Sequence, residues 1–254
     1  MPIIYLSPST QEFNPYYDGQ GNEEYYMNLI ADAMEPYLTA SGIEYVRNTP
    51  DMTAASSIRA SNAGNYDVHL AIHSNAAPAH LAGQLRGSDV YYYPYSDRSR
   101  RLADIITANL KAIYPLPDRV MARATTNIGE VARTRAPAVL VELAYHDNAE
   151  DAAWIRNSIG QIARNLVLSL TEYFGIPFAE PEPIRMATVE ISSGNLNIRE
   201  KPSFSAAVIG KAPDGAQLQV LGSWDGWYII RYNSLEGYVR SEYVVLHYLG
   251  SLED

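Results

Sequence analysis

The chain predicts an α/β domain, a mainly parallel sheet flanked by helices, joined to a small all-β barrel. Three observations predict it. Up to about residue 175, short apolar runs alternate with stretches of helical periodicity, the grammar of strands crossing over through helices. Residues 178–183 then bring three acidic or proline positions, Glu180, Pro181 and Glu182, closed by Pro183, which reads as a stiff linker. Beyond them, brief alternating runs recur between the turn signals Ser193-Gly194, Asp214-Gly215, Asp225-Gly226 and Asn233-Ser234. The expected division is 1–176, a linker at 177–185, and 186–254.

Taken in order, residues 3–6 form a first apolar strand, followed by a polar loop with turns at Asn14-Pro15 and Asp18-Gly19. Asn22 is placed to cap a helix beginning at Glu23, whose Met27, Ile30, Met34 and Leu38 recur on one face. That helix stops at Ser41-Gly42. Residues 43–46 give a second strand and residues 53–63 a second helix. In residues 67–75, Val68, Leu70 and Ile72 alternate as in a strand, which ends on His73, Ser74 and Asn75. Residues 90–93 give another strand, and Leu102, Ile105, Ile106, Leu110 and Ile113 an amphipathic helix. Residues 115–135 are less regular, a hairpin or loop. Residues 137–141 form a fully apolar strand running into Glu142, and a long helix over about 149–174 breaks near Gly160.

Composition narrows the function. The 254 residues include no cysteine, so disulfides and thiolate metal sites are excluded, and any metal takes His, carboxylate or weaker oxygen ligands. A net charge of −10 argues against nucleic acid. No apolar run approaches the roughly 18 residues of a membrane span, so membrane insertion is not expected. The first residues lack the basic start and apolar core of a signal peptide.

Glu23, His73 and Glu142 fall at equivalent places, after a strand or at its carboxyl end, where α/β sheets collect their chemistry. Each has a plainer explanation: a helix-dipole carboxylate for Glu23, a strand-end histidine for His73, a helix cap for Glu142. Together they make the mixture a hydrolytic zinc centre uses, with His and carboxylate ligands and a separate carboxylate base. His69 shares a strand side with His73 by strict alternation.

Glu23 with Ile30-Ala31, Arg59 with Asn62, residues 67–75 and residues 137–142 resemble zinc-dependent N-acetylmuramoyl-L-alanine amidases over about residues 2–175. The resemblance implies an α/β sheet flanked by helices. It also implies hydrolysis of the amide between muramic acid and L-alanine in peptidoglycan, Zn2+ held by Glu23 and His73, and Glu142 as the catalytic carboxylate. The family places a further histidine just after the first strand, where this chain reads Pro8, Ser9, Thr10 and Gln11. The third ligand is then either His146, the better donor, or the amide oxygen of Gln11.

The run from Ser193 to Arg199, with Val208-Ile209-Gly210, Gly226-Trp227-Tyr228 and Gly237-Tyr238-Val239, resembles a bacterial SH3-like domain over about residues 186–246. This implies binding to wall peptides, with Trp224 and Tyr228 as the substrate-binding surface and Trp227 in the core. The expected protein acts at the bacterial cell wall, secreted with trimming or released by lysis. The alternatives are a non-catalytic wall-binding protein, or a zinc peptidase cutting another peptidoglycan amide.

Overall fold

The computed structural model describes residues 1–181 and 185–247. Residues 182–184 of the expected linker and 248–254 of the expected barrel lie outside the described residues. The chain divides into two compact units, one of residues 3–35 and 45–173, the other of residues 1–2, 36–44 and 174–254.

The larger unit begins with β1 (Ile3–Pro8), α1 (Glu23–Ala40), of which residues 36–40 belong to the other unit, β2 (Glu44–Arg47), α2 (Ala54–Ala63) and β3 (Val68–Asn75). It continues with β4 (Ser88–Tyr92), α3 (Asp97–Lys111), β5 (Val120–Ala124), α4 (Gly129–Ala132), β6 (Ala138–Tyr145), α5 (Ala149–Asn157) and α6 (Ile159–Phe174). Its helices begin where polar caps allow. The Asn22 side chain accepts from the amide of Tyr25, Thr53 and Ser56 form a reciprocal capping box, and Ser96 and Asn148 cap α3 and α5. The helical break expected near Gly160 falls at Ser158. The segment expected as loop or hairpin carries β5 and the single-turn α4 instead; four residues are too few to print a helical period.

The strands order as β2-β1-β3-β6-β4-β5. β1 with β3, β3 with β6, and β4 with β5 run parallel, while β4 runs antiparallel to β6. The carboxyl ends of β1, β3 and β6 therefore share a rim with the amino ends of β4 and β5. The loop from β3 to β4 stays on that rim. Asp147 holds it by accepting the amides of Ala77 and Gly83.

Register assigns side chains to faces, because period two sends alternate residues to opposite sides. One face carries Ile4, Leu6, Val68, Leu70, Ile72, Val139, Val141 and Val90, all with no exposed surface. At about 1.5–3 kcal/mol per fully buried side chain, this face drives folding. The opposite face carries Ser7, His69, His73, Glu142 and Asp89. Its apolar members Ala71 and Leu140 pack under Val131 of α4. Polar chemistry is thus confined to one side of the sheet.

The smaller unit contains β7 (Arg185–Val189), β8 (Asn195–Arg199), β9 (Val208–Pro213), β10 (Gln217–Trp224), β11 (Trp227–Tyr232), β12 (Leu235–Arg240) and β13 (Val244–His247). They order β13-β7-β10-β11-β12-β8-β9 in antiparallel pairs. Val189, Ile198, Leu218, Ile230 and Val239 fill its core. A second cluster in this unit joins Ala40, Ala179, Leu221, Trp227, Ile229 and Tyr238, so Trp227 is core as expected.

Candidate active site

β3 and α1 bring the first two predicted residues together. His73 Nδ1 lies 2.8 Å from Glu23 Oε1, and both side chains are buried. The other Glu23 oxygen accepts from Asn14 Nδ2 at 2.7 Å, and the amide of Ser74 donates to Oε1. Burial opposes ionisation of Glu23, but His73 and Asn14 outweigh it and hold the carboxyl below its ordinary range. Gln11 joins this group. Its Nε2 is 3.3 Å from His73 Nδ1, and its Oε1 accepts from Asn14.

The opposite nitrogen of His73 meets a residue that sequence reasoning missed. Glu130, on α4, places Oε2 3.3 Å from His73 Nε2. Its Oε1 accepts from the Ser7 hydroxyl at 2.6 Å and lies 3.2 Å from His69 Nε2. His69 Nδ1 contacts Ser61 Oγ at 3.0 Å. Asn48 donates to Ser7, to Ser57 and to the carbonyl of Pro8. The one signal in the sequence was the shared side of His69 and His73, which pointed to a common partner without naming it. Burial raises the Glu130 pKa, but the two imidazoles override this and hold it far below the carboxylate range. Burial would lower His73, yet Glu130 and Glu23 lift it to about 10.

Glu142 stands beside His73 in the β3–β6 register. The register slips immediately afterwards, pairing Asn75 with Tyr145, a bulge of the kind that re-aims side chains next to active sites. Glu142 Oε2 is buried and has no hydrogen-bond partner among the described residues. Burial pushes its pKa up to about 7; His73 opposes this, and the charges of Glu23 and Asp89 add to it. A carboxyl so placed is a proton acceptor near neutral pH. Asp89, opposite Glu142 on β4, is held by Arg123 at 2.5 Å.

The other predicted residues lie as follows. The Nδ1 of His146 is engaged by the hydroxyl and carbonyl oxygens of Ser74, and its ring stacks on Tyr16, with centroids 5.4 Å apart. Trp224, 39% exposed, and Tyr228 line one concavity of the smaller unit with Arg185 and Asp225. In the larger unit, Ser9, Thr10, Gln11, Phe13, Met52 and Thr53 line a cleft of about 320 Å³ that reaches His73 and Glu130.

Three carboxylates, Glu23, Glu130 and Glu142, surround one imidazole in a desolvated setting. A buried, unmatched carboxylate oxygen there is costly without a cation. The nitrogen and oxygen donors facing each other at His73 and Glu23 are those that Zn2+ takes. The set fits the ion in kind but is short in number: the described residues contain no group of three or more His, Cys, Asp or Glu able to hold a metal.

Residues 14–172 match the N-acetylmuramoyl-L-alanine amidase family, and residues 194–245 the bacterial SH3 domain. YrvJ of Bacillus subtilis is 33% identical over 95 residues, which make up 37% of this chain and 18% of that protein, so the match spans under a fifth of this curated relative. Three solved amidases share the fold. The catalytic domain of CwlV from Bacillus (Paenibacillus) polymyxa var. colistinus superposes with a TM-score of 0.60 at 18% identity, over 70% of this chain and 100% of that one. AmiC2 of Nostoc punctiforme gives 0.59 at 18% identity, over 68% and 97%, and an amidase from Clostridium difficile 630 gives 0.61 at 16%, over 68% and 97%.

Proposed function

This chain belongs to the N-acetylmuramoyl-L-alanine amidase family, and on that premise we propose that it hydrolyses the amide joining N-acetylmuramic acid to L-alanine in peptidoglycan. The family is generally zinc-dependent. His73 and Glu23 would hold the ion here. The two candidates for a third protein donor stay His146, whose Nδ1 is engaged by Ser74, and Gln11, whose Oε1 accepts from Asn14 while its Nε2 faces His73. When bound, zinc supplies a Lewis acid for the scissile carbonyl and acidifies water.

The chain's own residues do the proton work. Glu142 Oε2 takes a proton from the attacking water and returns it to the departing amine of L-alanine, two steps that a carboxyl titrating near pH 7 performs in turn. The partnerless Oε2 beside His73 is the observation that carries this role. Residues 1–176 form the catalytic domain, 177–185 the linker and 186–254 the wall-binding domain, with Trp224 and Tyr228 contacting the wall. Coupling the two raises the local concentration of the catalytic domain on an insoluble polymer. The protein acts at the cell wall; no described helix is long and apolar enough to cross a membrane.

Mass spectrometry of fragments from purified sacculi tests the reading. New amino termini on L-alanine are expected, and they should vanish in Glu142→Ala. Cleavage at another amide would make the chain a peptidase. The short donor set gives a second reading some weight, a wall-binding protein without catalysis. Metal analysis separates the two: stoichiometric zinc, lost in His73→Ala, supports the enzyme, and no zinc under replete conditions supports the binder.

A further inference from the structure

We propose that the larger unit carries an anion-binding pocket on the sheet rim opposite the candidate active site, where Arg98 and Arg135 take a phosphate group between them. The pocket encloses about 190 Å³ and is lined by Ser61, Gly64, Asn65, Tyr66, Arg98 and Arg135, with residues 136–137 completing the wall. Residues 64–66 lead into β3 and residues 135–137 into β6, so the pocket sits where these two parallel strands begin. Glu142 and His73 stand at the opposite ends of the same strands.

The charge of this pocket runs against that of the chain. The net charge is −10, yet two guanidiniums line the pocket and no carboxylate does. Among the described residues neither arginine is ion-paired, and the one side-chain hydrogen bond of either runs from Arg98 Nη2 to the carbonyl of Asp67, at 3.5 Å. Asp67 turns its own carboxylate to the amide of Ile3, 2.9 Å away, and the exposed Asp97 lies outside the lining. One unpaired arginine in water is ordinary. Two that share a cavity repel each other, and an anion between them relieves the repulsion. The carboxyl end of α2 brings about half a negative charge to this place and the amino end of α3 about half a positive one, so the two full charges decide the sign.

The backbone holds the parts in place. Asn62 clamps the loop before β6 to α2, accepting the Arg135 amide at 2.7 Å and donating to the Arg133 carbonyl at 2.8 Å. Arg98 stands in the first turn of α3, capped by Ser96. Tyr66 meets Tyr5 edge-on, ring centroids 5.3 Å apart, and a Cβ on Gly64 would come within 2.5 Å of its ring. Phosphate is the anion this chemistry selects. Each guanidinium is a planar fork that engages two oxygens, so a carboxylate satisfies one fork, whereas inorganic phosphate or a phosphate monoester has free oxygens for both.

The test is a titration of the chelator-treated full chain at constant ionic strength with inorganic phosphate, glycerol phosphate and acetate, followed by the backbone amide resonances of Gly64, Asn65 and Ala136. Neither hydrolysis nor a metal enters the measurement, so its result stands apart from that of the proposed function. Phosphate should move these resonances saturably. Arg98→Gln and Arg135→Gln, both at exposed positions, should each weaken binding about tenfold, and acetate should bind the wild type about tenfold more weakly than phosphate. Replacing both arginines by lysine keeps the charge and loses the forks, and should retain only part of the affinity. Glycerol phosphate bound at least as tightly as inorganic phosphate identifies a monoester as the ligand, and weaker binding identifies free phosphate. Shifts that never saturate, or that persist unchanged when both arginines are glutamine, overturn the proposal, as does acetate binding equal to that of phosphate.

Discussion

Replacing Glu142 by glutamine should change the stability of the larger unit in a pH-dependent way, and the sign follows from the shifted carboxyl. Its pKa stands at about 7 in the folded chain against an ordinary 4.5. A carboxyl raised on folding contributes fully below the unfolded value, and that contribution is lost as pH rises through the folded one. Wild-type stability should therefore fall between pH 4.5 and 7 on account of this group. A shift of about 2.5 units corresponds to roughly 3 kcal/mol. Glutamine does not ionise, so Glu142→Gln escapes the loss. Any cost of leaving its amide unmatched is constant with pH and cancels when the two pH values are compared. The assay is the urea midpoint of the chelator-treated protein, read from the methyl resonances of Ile72 and Val141. These two lie on the buried face of the sheet and report the larger unit alone. The variant should gain roughly 3 kcal/mol on the wild type between pH 4 and pH 8.5, while losing about 10²- to 10⁴-fold in activity. Parallel pH profiles for the two proteins would show that burial does not strain this carboxyl, and the general-base assignment would lose its physical basis.

Further outcomes are expected from other sites. The kcat/KM of the wild type should rise with pH up to about 7 and then level, as Glu142 ionises; a profile flat from pH 5 to 8 removes it as the base. Asp151, fully buried, accepts from Tyr114 at 2.6 Å, Arg86 Nε at 2.9 Å and the amides of Gly87 and Tyr145. Asp151→Ala leaves the Tyr114 hydroxyl and the amides of Gly87 and Tyr145 without their acceptor, while Arg86 keeps Glu150, and should cost about 1–3 kcal/mol in thermal or urea unfolding. Gly222→Ala drives a methyl group into the carbonyl of Ala40 and should lower the melting of the smaller unit, seen by circular dichroism of that transition. Trp224→Ala should weaken pelleting with purified sacculi while leaving turnover of a soluble muramoyl peptide unchanged.

Much of this site could be read along the chain, and the rest could not, for physical reasons. Val68, Leu70 and Ile72 alternate, and the polar residues after them stop the apolar run, so the strand and its functional end were both visible. The unbroken apolar run before Glu142 likewise announced a buried strand with a carboxylate at its end. Glu23 was found because Asn22 marks the helix start one residue earlier. Glu130 was hidden, since α4 is a single turn with no period and its charge looked like any surface glutamate. The reversal of β4 was hidden too. A short buried strand reads the same whichever way its neighbours run, and direction is settled only by pairing. The pairing of His146 with Ser74 depends on a side-chain rotation that no spacing encodes.

That reversal has a consequence for how the protein can diversify. Since β3 ends and β4 begins on one rim with β6 between them, the segment 76–87 must bridge the tip of the strand bearing Glu142. It enters and leaves without threading the sheet, tethered at Ala77 and Gly83 by a single aspartate. Lengthening or exchanging it short of Arg86 and Gly87, which hold Asp151, alters the roof over the reactive carboxyl and leaves every strand pairing intact. Selectivity for different wall chemistries can thus be revised in one short insert that spares the residues anchored to Asp151.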